Sequence, residues 1–93
     1  MVLIKLANVG FGSFVSLEHT RRALAPQSAS VQKLVREQKI NATVVDLTNG
    51  RRTTAVIPLD NGQLVLVAAQ PKKLRTQGLL IDLVEFRRST PTR

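Results

Sequence analysis

Two adjacent arginines after an Asn-Gly pair are the residues of this chain best suited to bind a polyanion. The segment reads Thr48-Asn49-Gly50-Arg51-Arg52. Each guanidinium group can donate paired hydrogen bonds to a phosphate, so two neighbouring groups can bind two phosphates, or one phosphate and one base edge. Turns are also charged simply because they are solvated, and for this pair alone that alternative stays open.

Other basic residues extend this hypothesis. Arg21 and Arg22 form a second pair in a polar connection, and Lys72 and Lys73 follow Pro71. For Arg21 and Arg22, a solvated loop and a phosphate-facing role are equally well supported. We therefore predict a phosphate-binding set led by Arg51 and Arg52 and backed by these four residues.

The charge balance supports a nucleic-acid partner. Fourteen Lys and Arg residues against six Asp and Glu residues give a formal net charge of +8 in only 93 residues. The basic residues are spread through the chain, so the folded part itself is positive, which is typical of polyanion binders. Aromatic residues are only Phe11, Phe14 and Phe86. This scarcity favours phosphate contact over stacking on unpaired bases.

Composition also argues against an enzyme. The chain has no cysteine and a single histidine, His19. A metal site made of thiolates or of several histidines therefore cannot form, and there are not several histidines from which to build a catalytic triad. We read Asp46 as a diagonal partner of Arg51 or as a charge at a strand edge, and Asp60 as a turn residue. We expect no cofactor, no metal and no small-molecule substrate. No segment resembles a secretion signal or reaches the length of a membrane span, which predicts a cytoplasmic protein.

The Asn-Gly pair predicts a tight hairpin, because both central residues of a type I′ turn need positive φ. Its strands are expected at 43–48 and 51–59, with Leu47 opposite Arg52 and Asp46 opposite Thr53. A third strand at 63–69 follows a turn at 60–63, with Leu59 opposite Leu64. Both faces of the last two strands are apolar. The second face therefore needs either the N-terminal strands or another subunit, and both alternatives stay open.

The remaining segments complete an α+β fold: a small antiparallel β-meander with one central helix near 29–39 and a short C-terminal helix. The helix prediction rests on Val31, Leu34 and Val35, which recur at i, i+3 and i+4 after Ser28 and Ser30. Strands are expected at 2–6 and 14–17, with Phe11 tucked into the core by its flanking glycines. Pro71 begins the short helix and Gly78 ends it. Residues 79–86 fit helix and strand equally, and 87–93 read as frayed. We divide the chain into a domain at 1–78 and an extension at 79–93.

Several short motifs together resemble the RemA-like family of extracellular matrix regulatory proteins. Their order and spacing match over residues 3–75, and together they are more specific than any is alone. The matching stretches are Asn8-Val9-Gly10-Phe11-Gly12, Pro26-Gln27-Ser28-Ala29, Gly50-Arg51-Arg52-Thr53, Ala55-Val56 and Ala69-Gln70-Pro71.

The resemblance implies a bacterial transcriptional regulator of biofilm or extracellular-matrix type genes, associated with the nucleoid. It implies an octameric ring of LytTR-like subunits with duplex DNA along its outer rim. Arg51 and Arg52 fall where the family contacts DNA. His19 stands where the family usually carries a DNA-binding arginine. The predicted DNA-binding set is therefore Arg51, Arg52, Arg21, Arg22, His19, Lys72 and Lys73. Asn49 replaces a common Tyr. The apolar segment after Gly78 extends beyond the usual family end.

Three functional hypotheses follow. The first is duplex DNA binding by a ring-shaped homo-oligomer. The second is an RNA-binding or ribosome-associated module, which competition between duplex DNA and duplex RNA would distinguish from the first. The third is a structural oligomer whose charge serves only solubility, and it predicts no salt-dependent nucleic-acid binding.

Overall fold

The computed structural model of the chain describes residues 5–81. The predicted α+β class, the central helix and the short C-terminal helix are confirmed, and the LytTR-like label stays a prediction. Along this part of the chain the elements are β1 (Leu6–Gly10), β2 (Ser13–Ser16), a 3-10 turn (Leu17–His19), α1 (Ala29–Ile40), β3 (Val44–Asp46), β4 (Ala55–Pro58), β5 (Leu64–Val67) and α2 (Pro71–Thr76).

The central sheet has the strand order β3-β5-β4, so the predicted meander is wrong in its strand order. β5 pairs parallel with β3, where Val45 is opposite Val65, and antiparallel with β4, where Ile57 is opposite Val65. All four residues of β5 are buried. A wholly apolar strand is stable between two neighbours that satisfy both of its edges, which a strand at the end of a meander would lack.

The predicted pairing of residues 43–48 with 51–59 is consequently absent. Leu47 donates its backbone N–H to Leu66 and Thr54 donates to Val67, so both flanks of the Asn-Gly turn bond to β5. The predicted pairs of Leu47 with Arg52 and of Asp46 with Thr53 do not form. The turn instead carries the chain across the end of β5.

The connection between β4 and β5 is a hairpin whose predicted register is wrong by one residue. Leu64 pairs with Pro58, not with Leu59. Leu59 N–H bonds to the Gln63 carbonyl at 2.8 Å, which leaves a three-residue loop with Gly62 at φ +92°. A type I turn followed by a left-handed glycine is a common three-residue hairpin loop, and its extra residue shifts the register.

The helix α1 covers one face of this sheet. Ser28 occupies its N-cap position and Asn41 its C-cap position, but the Ser28 hydroxyl lies 2.9 Å from that of Ser30 and does not cap the helix backbone. Its apolar side packs on β4 and β5 in a small cluster that comprises Val31, Leu34, Val35, Val56, Leu64 and Leu66, with Leu24 and Val44.

The β1–β2 hairpin and α2 cover the other face. They enclose the larger core cluster, in which Val9, Ile57, Val67 and Leu74 are almost completely buried. Of the two alternatives for covering this face, the N-terminal strands and another subunit, the structure therefore shows the N-terminal strands in that position. The first strand lies at Leu6–Gly10, later than predicted, and residues 2–4 lie outside the described residues.

Two segments outside the named strands and helices also pack against the core. Residues 20–24 run along the outer edge of β4, where Leu24 and Val56 exchange backbone hydrogen bonds of 2.7 and 3.0 Å. Gly78 ends α2 at φ +100°, as predicted, and Leu79 N–H bonds back to the Leu74 carbonyl. Leu79 and Ile81 are buried. The rest of the predicted segment 79–86 and the tail 87–93 lie outside the described residues, and the domain boundary at 78 stays a prediction.

Candidate nucleic-acid interface

The segment that carries Arg51 and Arg52 is a tight turn inside the crossover from β3 to β4. We call residues 47–54 the arginine loop. Asn49 and Gly50 have φ angles of +56° and +81°, and Arg51 N–H donates to the Thr48 carbonyl at 3.1 Å. The local turn chemistry predicted from Asn-Gly is therefore present, although the strands beside it are not paired with each other.

Hydrogen bonds from Thr48 to Asp46 fix the start of the arginine loop. The Asp46 carboxylate accepts from the Thr48 backbone N–H at 2.9 Å and from its hydroxyl at 2.6 Å. Thr48 is only 3% exposed, so these bonds satisfy a buried polar residue. They also hold the pKa of the Asp46 carboxyl below its usual value, the hydroxyl bond having the largest effect. In the described part of the chain, the carboxylate thus contacts Thr48 where we had predicted Arg51.

Thr54 fixes the end of the loop. Its N–H donates to the Val67 carbonyl at 2.8 Å, and its hydroxyl donates to the carbonyls of Val67 and Ala69. Both ends of the arginine loop are therefore bonded to stable structure, and the exposed residues between them are presented by a short, fixed segment.

The two arginines of this loop contact different neighbours. The Arg51 guanidinium carbon lies 5.5 Å from the centre of the Phe11 ring. Arg52 lines a hollow of about 250 Å³ together with Pro26, Gln27, Gln32 and Thr53. Both arginines are exposed, so their donor groups are accessible to a ligand.

The prediction that Phe11 is tucked into the core is wrong. Phe11 lies at the tip of the β1–β2 hairpin and is 49% exposed. Gly10, Phe11 and Gly12 all have positive φ, at +99°, +55° and +75°, and we call residues 10–12 the glycine turn. This backbone directs Phe11 away from the sheet and towards Arg51. The Gly-Phe-Gly sequence signals the turn but not its tertiary neighbour.

Lys73 adds a cation at the same end of the molecule. It lines a cleft of about 440 Å³ whose walls include the glycine turn, Gln70 and Gln77. Lys72 is the preceding residue of α2 and is also exposed. The structure therefore groups Arg51, Phe11 and Lys73 around neighbouring loops.

The other predicted residues lie at the opposite end of β4. Arg21 N–H bonds to the Pro58 carbonyl, whereas the arginine loop meets the start of this strand. A four-residue strand spans about 13 Å. Arg22 is exposed on the same edge segment. The predicted set is thus divided between two ends of the sheet.

His19 also lies at this far end. Its Nδ1 is 2.9 Å from the Asp60 carboxylate, and both side chains are about half exposed or more. The hydrogen bond to Asp60, followed by the charge of that carboxylate, raises the pKa of His19.

Within residues 5–81 no group of three His, Cys, Asp or Glu side chains is arranged to hold a metal ion. Nor does this range contain a helix long and apolar enough to cross a lipid bilayer.

Comparison with known proteins identifies relatives over most of the chain. The family model described as extracellular matrix regulatory protein A-like, or RemA-like, matches residues 6–77. A protein named as regulatory from Cyanothece sp. is 36% identical over 88 residues, which cover 95% of this chain and 97% of the relative. Another, from Acaryochloris marina, is 44% identical over 69 residues, which cover 74% of this chain and 78% of the relative. A third, from Clostridium botulinum, is 36% identical over 86 residues, covering 88% and 97%.

Proposed function

The chain belongs to the RemA-like family of extracellular matrix regulatory protein A-like proteins, and from this premise we propose that it is a regulatory protein that binds duplex DNA through the arginine loop. The observation that carries the proposal is the pair of exposed arginines at the tip of a loop whose two ends are fixed to the sheet. The net charge of +8 favours the same partner. The names of the relatives describe regulation, and we propose no enzymatic activity.

Phosphate contact is the main source of affinity in this proposal. Arg51 and Arg52 project from consecutive positions but contact different surroundings, so they can reach two successive phosphates of one strand. Lys72 and Lys73 lie on α2, and Lys73 extends the basic surface beside the glycine turn. Arg21, Arg22 and His19 lie too far along β4 to join the same contact, and we propose them for a second one.

We also propose that several subunits assemble into a ring, as the first hypothesis requires, with genes of the biofilm or matrix type as targets. A ring repeats each weak phosphate contact around its rim and so gains affinity through multivalency. A surface for this association is the apolar groove of about 640 Å³ between β2 and β3, which we call the outer groove. Its apolar lining includes Phe14, Val45, Leu47, Leu59 and Val65, and the polar residues Ser16, His19, Asp60 and Asn61 also line it. Phe14 is 54% exposed and Val45 37% exposed.

Titration of duplex DNA tests the proposal. Arg51→Ala and Arg52→Ala should each lower affinity about tenfold or more, because each removes charge-assisted hydrogen bonds. Each should also reduce the slope of log affinity against log salt by about 1. Lys33→Ala is the matched control, since Lys33 is an exposed cation on α1 outside the arginine loop, and it should change affinity little.

Three results would contradict the proposal. The double Arg51→Ala, Arg52→Ala variant could keep wild-type affinity, which would exclude the arginine loop as the contact. Duplex RNA of equal length could compete better than duplex DNA, which would favour the RNA-binding alternative. A complete lack of nucleic-acid binding would favour a structural role for the oligomer.

A further inference from the structure

Phe11 occupies an unfavourable position for a large apolar residue. Its φ of +55° is in the left-handed region that a bulky L-residue rarely adopts, and nearly half of its surface is exposed. Such strained backbone persists where surrounding structure enforces it, and it is concentrated at functional sites. The side chain is outside both core clusters, so packing does not account for it.

The contact that Phe11 makes is with a cation of the proposed interface. At 5.5 Å from the ring centre, the Arg51 guanidinium is within the range of a cation–π interaction. The N–H donors of a guanidinium lie in its plane, so a guanidinium that meets a ring with its face keeps these donors available to a phosphate while its orientation is restricted.

Both partners of this contact are held by hydrogen bonds from residues outside it. The Asn8 side chain accepts from Gly10 N–H at 2.8 Å and so shapes the glycine turn. The Gln77 side chain bonds to the backbone N–H and carbonyl of Asn8, at 2.6 and 2.7 Å. The Asp46 carboxylate orders the arginine loop through Thr48. Two separately fixed turns thus bring ring and guanidinium together.

From these contacts we propose that Phe11 is a positioning residue that holds Arg51 in the orientation that binds a DNA phosphate. A long arginine side chain loses rotamer freedom when it binds, and a ring that has already restricted it reduces that loss. The inference rests on the proposed function, because it assigns Phe11 a role through Arg51. It adds the β1–β2 hairpin, which carries no Lys or Arg, to the proposed interface.

Leu and Trp substitutions separate the aromatic face from simple bulk. In the full-length chain, Phe11→Leu should weaken binding to a defined duplex about two- to fivefold, the value of an exposed cation–π contact. Phe11→Trp should keep wild-type affinity, because Trp offers the strongest cation–π face. Both should leave the oligomer mass and the melting temperature close to wild type, since Phe11 is outside the core.

A double-mutant cycle shows whether Phe11 acts through Arg51. If it does, Phe11→Leu should have no further effect in the Arg51→Ala background. An equal loss in both backgrounds would mean that Phe11 contacts DNA by itself, and it would overturn the proposal. Unchanged affinity in Phe11→Leu would also overturn it.

A readout without DNA distinguishes this proposal from the proposed function. The NMR signal of the Arg51 Nε–H group should be displaced by the aromatic ring, and Phe11→Leu should abolish that displacement. If Arg51→Ala weakens DNA binding but Phe11→Leu leaves both affinity and this signal unchanged, only the positioning role fails. If the wild-type chain shows the displaced signal but does not bind duplex DNA, the proposed function fails, together with any positioning role in it.

Discussion

At the scale of single residues, hydrogen bonding matters more than charge pairing in the arginine loop. Asp46 lies close in sequence to two arginines, yet its carboxylate accepts two bonds from Thr48. The Asp46 carboxylate is therefore engaged by Thr48, while Arg51 remains exposed. A carboxylate paired to Arg51 would instead have to be displaced before a phosphate could bind. The arrangement therefore orders the turn without reducing its ability to bind an anion.

The His19–Asp60 pair predicts a pH dependence. Its hydrogen bond raises the pKa of His19 above the ordinary value of 6.5. A group whose pKa is higher in the folded state stabilises the fold fully below its unfolded pKa, here pH 6.5, and loses that contribution as pH rises through the folded pKa. The free energy of unfolding attributable to this pair should therefore be larger at pH 5.5 than at pH 8.5.

Urea unfolding of the wild type and of Asp60→Asn at these two values measures the effect. The variant removes the charged acceptor, so its pH dependence between them should be flatter than that of the wild type. Because both side chains are exposed, the difference should be small and should shrink further in high salt. Glu18 lies nearby and also raises the pKa of His19, so Glu18→Gln is the matched control and should have the weaker effect. Identical pH profiles in wild type and Asp60→Asn would contradict the assignment.

At the scale of elements, the C-cap residue of α2, Gln77, links this helix to the β1–β2 hairpin through hydrogen bonds, in addition to their shared apolar core. Gln77 bonds to both backbone groups of Asn8, as a neighbouring strand would, at the edge of a two-stranded sheet. Two-stranded hairpins are marginal alone and depend on such additional contacts. The position of the glycine turn, and hence of Phe11, thus depends on a residue in a different element.

Gln77→Ala should lower the free energy of unfolding by about 1–3 kcal/mol, because it removes two hydrogen bonds. It should also speed hydrogen exchange at the Asn8 amide. Thr76→Ala is the control, since the Thr76 hydroxyl donates to the Lys73 carbonyl within its own helix, and it should leave exchange at Asn8 unchanged. Slow exchange at Asn8 in Gln77→Ala would show that other contacts hold the hairpin.

The sequence predicts those elements whose signals are local. The apolar spacing of α1, the proline that begins α2, the glycine that ends it and the Asn-Gly turn are all confirmed. The strand order was not predictable from local signals. The position of β5 between β3 and β4 depends on burying its apolar side chains on both faces, which involves residues distant in the chain. The neighbour of Phe11 was missed for the same reason, since its contact with Arg51 joins turns about forty residues apart in the chain.

At the scale of the whole molecule, the cations predicted to bind DNA occupy two separate ends of one sheet. Arg51, Arg52 and Lys73 lie beside the start of β4, and Arg21 and His19 lie beside its end. A duplex that touches the first group can reach the second by running along the sheet or by crossing to a neighbouring subunit. The second route needs an interface between subunits, for which we have proposed the outer groove.

The outer groove has the properties expected of such an interface. Phe14 and Val45 are exposed on its walls, and within residues 5–81 the outer edge of β3 is not paired with another strand. Exposed apolar surface beside an unpaired strand edge is a common site of association between chains. Val45 lies on β3 itself, so a charge at this position would be buried by any partner that pairs there.

If the subunits associate as proposed, Val45→Asp should reduce the particle to one near the chain mass of 10.2 kDa, because a carboxylate buried without a partner opposes association. Light scattering on the eluted peak measures the mass. Ile40→Asp is the matched control: Ile40 is 84% exposed at the end of α1 and lies outside the outer groove, so the mass should not change. Loss of the ring should also weaken binding to long duplexes far more than to short ones, since only long duplexes engage several subunits. A Val45→Asp variant that keeps the wild-type mass would place the interface elsewhere, and one that dissociates without losing affinity for long duplexes would show that DNA binding does not depend on the ring.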